Sequence, residues 1–107
     1  MMRFLVAGLI NIETTLQIEG FPLQYNPVNF PFFGVNSTVS GVGYNLAKAL
    51  TTLGEEVQFL SIIGDDTAGE LARTALQADG IPAGGVLTGM PQTAQSVILY
   101  DREGRRQ

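Results

Sequence analysis

The fold is decided by one stretch, Ser40-Gly41-Val42-Gly43-Tyr44-Asn45-Leu46-Ala47, in which a turn of small residues opens into an amphipathic helix. The apolar side of this helix is a stripe at three- and four-residue spacing, made by Leu46, Ala49, Leu50 and Leu53. This spacing predicts a helix that starts directly after the glycine turn and buries one face.

The same turn offers groups that could meet a ligand. Ser40 is predicted to cap the first helical turn, whose free N–H groups favour a polar or anionic partner. Gly41 and Gly43 carry no Cβ, so another molecule could approach the backbone closely. Asn45, about one turn into the helix, offers both a donor and an acceptor. A helix start that needs glycine only for packing against a strand explains the same residues, and both interpretations stay open here.

Composition limits the classes of function. The 107 residues, 45% of them hydrophobic, suffice for one small domain with a core. Ten acidic residues against six basic ones give a net charge of −4, which argues against a nucleic-acid partner. The absence of cysteine excludes disulfides and thiolate chemistry, and the absence of histidine removes the commonest general base.

The chain shows no sign of a membrane partner or of secretion. No apolar run approaches the roughly 20 residues that a membrane-spanning helix needs. The start, Met1-Met2-Arg3-Phe4, leads into a predicted strand and lacks the layout of a secretion signal. These features predict a soluble, cytoplasmic protein.

Two neighbouring extended segments follow the start. The apolar run Phe4–Ile10 predicts a strand covered on both faces, as in a parallel sheet, and the alternation over Ile12–Ile18 predicts a strand with one wet face. Asn11 and Glu13 are two residues apart, so on an extended chain they point the same way, about 6–7 Å apart. Such a pair could hold a hydroxylated ligand, although an ordinary solvated face explains it equally well.

The remaining elements predict an α/β layer with right-handed crossovers. A proline-rich loop leads to a strand over 32–39, and further strands are predicted over 56–63 and 95–100. Between them, Thr67 and Glu70 have capping-box spacing for a second helix. Asp65 and Asp66 precede that helix; capping and loop hydration explain them more simply than a metal site, so no metal ligand is assigned.

Several motifs in this order resemble the N-terminal third of the PfkB (ribokinase-like) carbohydrate kinases. Any one of them is a weak signal, whereas the ordered series is fairly specific. The motifs are Gly8-Leu9-Ile10-Asn11-Ile12-Glu13, the Ser40–Ala47 turn, Leu53-Gly54, Ile63-Gly64-Asp65-Asp66-Thr67-Ala68-Gly69-Glu70, and Asp101-Arg102-Glu103-Gly104.

The resemblance implies a fold and an activity. The fold would be a partial ribokinase-like α/β domain: a mostly parallel sheet with flanking helices, plus lid strands at about 12–19 and 32–39. The parent enzyme would transfer a phosphoryl group from ATP, with Mg²⁺, to a sugar or nucleoside hydroxyl. The apolar faces of the lid strands could meet those of a partner in a homodimer.

The resemblance also implies which residues contact the substrate: Asn11, Glu13, Gly41, Gly43 and Asn45. Glu13 stands where the family usually has aspartate. Ser40 replaces the first of the usual two glycines, and Val42 stands where ribokinases proper often have lysine, which weakens the case for ribose.

The family's anion hole, catalytic aspartate and nucleotide pocket match nothing in this sequence. Residues 1–107 are therefore expected to form the substrate-binding part, to bind neither ATP nor Mg²⁺ alone and to be inactive alone. The alternative is a non-catalytic binding or self-association module. A dinucleotide-binding fold is disfavoured because Leu46 stands where its third glycine belongs.

Overall fold

The structure is a computed structural model that describes residues 1–26 and 33–107. Phe32, the predicted first residue of one strand, and the end of the predicted proline-rich loop lie outside these ranges. The elements are β1 (Arg3–Ala7), β2 (Asn11–Gln17), β3 (Val35–Ser40), α1 (Val42–Thr52), β4 (Glu56–Gly64), α2 (Thr67–Ala78), β5 (Val86–Met90) and β6 (Gln95–Tyr100).

Three strands form a parallel sheet in the order β1-β4-β5. β1 pairs with β4 from Arg3 opposite Glu56 to Ala7 opposite Leu60. The β1–β4 and β4–β5 connections carry α1 and α2, the arrangement that parallel strands require. The predicted α/β architecture is confirmed.

Both helices contribute to one core on one face of this sheet. Val57, Phe59 and Ile63 alternate along β4 and are buried, because every second side chain of a strand points to the same side. Further buried side chains come from β1 and both helices: Val6, Tyr44, Ala47, Ala72 and Leu76.

The other face of the parallel sheet is exposed, so the prediction that the first strand is covered on both faces is wrong for the described residues. Leu5 is 65% exposed, and Ile62 and Leu87 are similarly accessible. Ile62 and Leu87 line an apolar groove of about 560 Å³ that reaches from Gly8 to Met90, and we call Leu5, Ile62 and Leu87 the exposed apolar strip. The run of apolar residues in β1 thus reflects one face in the core and one face outside it.

The predicted apolar stripe of α1 also needs correction. Leu46 and Leu53 are exposed, and the buried residues of the helix are Gly43, Tyr44 and Ala47. Gly43 packs against the backbone of Gly8, and this contact turns the Gly43–Ala47 side toward the core. Leu50 alone of the predicted leucines packs partly against it.

A second sheet has the order β3-β2-β6 and is mixed. β2 runs antiparallel to β3 and parallel to β6. β2 and β3 are the two strands predicted at about 12–19 and 32–39, with shorter bounds.

No helix within the described ranges has the length and apolar character needed to cross a bilayer.

Candidate functional site

The start of α1 is built on two close backbone contacts. Gly41 has φ of 103°, and a Cβ there would lie 2.4 Å from the carbonyl oxygen of Leu9. A Cβ on Gly43 would lie 2.5 Å from the carbonyl carbon of Gly8. The connection between β1 and β2 therefore rests directly on the helix start, and both glycines are required for packing whatever else they do.

Ser40 does not cap the helix, contrary to the prediction. Gly41 occupies the N-cap position, and no side chain caps the first turn of α1. The Ser40 hydroxyl instead accepts a weak hydrogen bond from Asn45 Nδ2 at 3.4 Å. Ser40 is the last residue of β3, so its side chain projects from one face of that sheet.

Strand register brings the predicted polar pair next to this start. Asn11 lies opposite Ser40 across the antiparallel β2–β3 pair, and Glu13 lies opposite Thr38. Directly paired residues project from the same face of a sheet, as do residues two apart on one strand. Asn11, Glu13, Ser40 and Thr38 therefore share one face.

Ser96 on β6 completes this face from the other side. It pairs with Glu13 in the parallel β2–β6 ladder, and its Oγ accepts a hydrogen bond of 2.7 Å from Asn11 Nδ2. We call Asn11, Glu13, Ser40, Asn45 and Ser96 the polar face. It joins three of the predicted site residues, with the two helix-start glycines beside it.

The polar face is open and rich in hydrogen-bonding groups. Asn11 and Glu13 are half-buried, while Asn45 is exposed on the first turn of α1. Carboxylate and carboxamide oxygens accept hydrogen bonds from hydroxyl groups, and carboxamide nitrogens donate to hydroxyl oxygens. Chemically, this arrangement suits a ligand with several hydroxyl groups.

The start of α2 is a closed cluster of hydrogen bonds, which we call the joint of α2; its members are Gly64, Asp66, Gly69 and Thr93. Asp66 is the N-cap: its Oδ1 accepts from Gly69 N at 2.8 Å and from Thr93 Oγ1 at 2.6 Å, and its Oδ2 accepts from Thr93 N at 2.9 Å. The bond from the Thr93 hydroxyl, supported by the two backbone N–H groups, lowers the pKa of the Asp66 carboxyl. Thr67 is thus not the cap and the predicted capping box is wrong, whereas helix capping, the simpler explanation given for Asp66, is confirmed.

Sequence reasoning missed Ser96 and Thr38. Strand pairing places Ser96 in the polar face, across more than eighty positions of sequence, and places Thr38 beside it, opposite Glu13. No local pattern marks a serine in a strand as a neighbour of Asn11. The one available signal was the small polar residue at an alternate position of the predicted strand over 95–100.

The sequence of this chain is similar to those of known proteins. Residues 1–107 match the pfkB family carbohydrate kinase profile. The ATP-dependent ribose-1-phosphate kinase of Halopiger xanaduensis is 30% identical over 105 residues, which are 97% of this chain and 35% of that protein. The acarbose 7(IV)-phosphotransferase of an Actinoplanes strain is 28% identical over 102 residues, which are 95% of this chain and 33% of that protein.

The fold is shared with solved structures. The ribokinase of Arabidopsis thaliana, solved as a complex with ribose and ATP, has a TM-score of 0.83 at 22% identity. The match covers 96% of this chain and 33% of that one. The chain spans about a third of the length of the curated relatives that it matches. Because the family profile matches residues 1–107, the chain belongs to the pfkB family of carbohydrate kinases.

Proposed function

We propose that this protein acts in the ATP-dependent phosphorylation of a sugar or nucleoside hydroxyl, and that residues 1–107 supply side chains that contact the acceptor. The observation that carries the proposal is the polar face, where Asn11, Glu13 and Asn45 lie around Ser40 in a chain of this family. Two relatives act on carbohydrates by name, which supports the class of acceptor.

Each proposed contact follows from the chemistry of its side chain. The Glu13 carboxylate accepts hydrogen bonds from acceptor hydroxyls, and the Asn11 and Asn45 carboxamides donate and accept. Gly41 and Gly43 are proposed to meet the ligand through backbone groups, because their missing Cβ atoms would lie against Leu9 and Gly8 of the protein itself. Phosphoryl transfer depends on holding the attacking hydroxyl in position, which is what such contacts accomplish.

We propose that ATP and Mg²⁺ are held outside residues 1–107. Within the described ranges, no three histidine, cysteine, aspartate or glutamate side chains come together as metal ligands. Asp66 is engaged by three donors as a helix cap. The described residues thus offer no cluster of metal ligands, and residues 1–107 prepared by themselves are expected to give only the blank rate of ADP release.

A coupled assay of ADP release tests the activity, with the full-length protein and D-ribose, D-fructose, D-glucose or inosine as acceptor. We expect turnover with at least one of the four. Asn45→Ala should raise the KM for that acceptor about tenfold, the value of one lost hydrogen bond. Gln77→Ala is the matched control, because it truncates an exposed helical amide on α2, away from the polar face.

The outcomes separate the proposal from its alternative, a non-catalytic self-association module. The exposed apolar strip of the parallel sheet favours that alternative, because large uncovered apolar surfaces promote association. Sedimentation velocity of the same preparation measures it. Absence of turnover with all four acceptors, together with concentration-dependent assembly, would support the module. Equal KM values for Asn45→Ala and Gln77→Ala would remove Asn45 from the site.

A further inference from the structure

We propose that Ser96 is a positioning residue of the acceptor site, and that it acts by fixing the direction of the Asn11 carboxamide. This inference rests on the proposed function and adds a residue to it. The Asn11 Nδ2···Ser96 Oγ distance is 2.7 Å, and the bond is partly shielded from water. It joins residues 85 positions apart in the sequence.

Without such a bond, the end of an asparagine side chain has two nearly equivalent orientations. Its terminal torsion is broad and roughly two-fold, so oxygen and nitrogen can exchange places. In this structure Nδ2 donates to the Ser96 hydroxyl oxygen, and the bond holds the carboxamide near one value of its terminal torsion. Asn11 Oδ1 takes no part in this bond, so it is available to accept from a ligand hydroxyl on the polar face.

The place of Ser96 is itself fixed from two directions. Along the strand, the parallel ladder holds Ser96 beside Glu13, and Ile12 N donates to Ala94 O at 2.9 Å. Just before the strand, Thr93 is buried and held by Asp66, and its Oγ1 also accepts from Gly64 N at 2.9 Å. The hydroxyl that orients Asn11 therefore sits on a strand with little freedom to move.

The chain provides a matched control on the opposite face of the same sheet. Ser37 Oγ lies 2.8 Å from Thr14 Oγ1, and these two residues are paired across β2 and β3. Thr14 stands between Glu13 and Thr15, so it points to the other side of the sheet. Ser37→Ala removes one hydroxyl and one inter-strand side-chain hydrogen bond, as Ser96→Ala does, without touching the polar face.

Steady-state kinetics of the full-length protein with the four acceptors test the effect on the site. We expect Ser96→Ala to raise the acceptor KM about fivefold with kcat unchanged, because it loses orientation of a ground-state contact. Ser96→Thr retains the hydroxyl and should restore the KM. Ser37→Ala should leave the KM at the wild-type value. A purely structural effect would lower the active fraction, and therefore the apparent kcat, for both alanine variants.

A double-mutant cycle tests whether Ser96 acts through Asn11. In an Asn11→Ala background, Ser96→Ala should cause no further rise in KM, because the group it orients is gone. An equal rise in both backgrounds would overturn the inference, as would a Ser96→Ala KM equal to that of Ser37→Ala. If instead Asn11→Ala itself leaves the KM unchanged for every acceptor that is turned over, the proposed site fails first, and the inference fails with it.

Nuclear magnetic resonance gives a readout that needs no turnover. The side-chain NH₂ signals of Asn11, identified by their loss in Asn11→Ala, should shift in Ser96→Ala and stay in place in Ser37→Ala. If these signals move equally in both serine variants, the hydrogen bond does not orient Asn11 and the inference is wrong.

Discussion

The two helices of this chain begin in opposite ways. α2 begins at Asp66, whose carboxylate binds Gly69 N and both donors of Thr93. α1 begins at Gly41, where no side chain caps the first turn and the backbone contacts Leu9 closely. One start is a closed set of side-chain hydrogen bonds within the protein, and the other is held by close backbone contacts that include a hydrogen bond of 3.2 Å from Tyr44 N to Leu9 O.

This difference separates a joint from a candidate site. At α2 the protein satisfies its own polar groups, so the cluster ties β4, α2 and the approach to β6 together and leaves little for a ligand. At α1 the fixing contacts are made by glycine backbone, and the polar side chains nearby remain on an accessible face. A helix start that is held by backbone contacts, like that of α1, leaves its polar side chains available to bind a ligand.

The largest expected effect is that of Gly43→Ala, which tests whether packing holds α1. In an exposed helix this change gains about 1 kcal/mol of propensity. Here the new Cβ would lie 2.5 Å from Gly8 C and 2.7 Å from Gly8 Cα. We therefore expect the free energy of unfolding to fall by about 3 kcal/mol, the cost of overpacking against backbone. Urea unfolding measures it.

Gly84→Ala is the control for that experiment, since a Cβ at this position meets nothing within 4 Å. It should change the free energy of unfolding by less than about 0.5 kcal/mol. A Gly43→Ala variant as stable as Gly84→Ala would show that the start of α1 can accommodate a Cβ at position 43, contrary to the prediction.

An intermediate effect is expected from Asp66→Asn, which tests whether the joint of α2 depends on charge. The folded pKa of this carboxyl lies below its ordinary value, so its contribution to stability is complete above that ordinary pKa. The contribution is lost as the pH falls below the ordinary pKa and through the lowered one. The urea midpoint of unfolding is measured between pH 7 and pH 3. The midpoint of wild type should be higher than that of Asp66→Asn at neutral pH, and the two midpoints should converge in acid.

Asp65→Asn removes the same charge from the neighbouring exposed residue, which takes part in none of these bonds. Its urea midpoint at pH 7 should stay close to that of wild type. If the gap between wild type and Asp66→Asn is equally wide at pH 3 and pH 7, the charge of Asp66 does not hold the joint.

The smallest effect is expected from Ser40→Ala, which tests the missing cap of α1. Loss of a true serine cap costs about 1 kcal/mol. Because Ser40 makes only a 3.4 Å contact with exposed Asn45, we expect the free energy of unfolding to change by less than about 0.5 kcal/mol. Thermal unfolding followed by circular dichroism measures it, and a change of the size expected for a cap would contradict the structure.

Local patterns predicted much of the fold because each depended on neighbours in sequence. The glycine turn, the alternation along β2 and the apolar run of β4 all report on a few adjacent residues. Gly54, which follows the C-cap Leu53 of α1, has φ of 85°, the left-handed conformation in which glycine commonly ends a helix. Each of these patterns can be recognised from a few adjacent residues.

The failures share a different cause. Leu46 satisfied the helical spacing, but the contact between Gly43 and Gly8 decided which side of α1 turned inward. Asp66 displaced Thr67 as the cap because Thr93, 27 residues away, adds its own donors to the same carboxylate. Ser96 joins the polar face only through strand pairing. In each case a contact from elsewhere in the chain outweighed the local preference.

The pairing of β2 with β6 has a consequence for the order of folding. Ile12 pairs with Gln95 and Arg3 pairs with Glu56, so both parallel pairings close long loops, which costs conformational entropy, whereas α1 and β4 are neighbours in the sequence. We therefore expect α1 to pack on β4 before β2 acquires its second neighbour. The groups proposed to meet the acceptor would be the last to acquire their native surroundings and, by the same reasoning, among the first to lose them on unfolding.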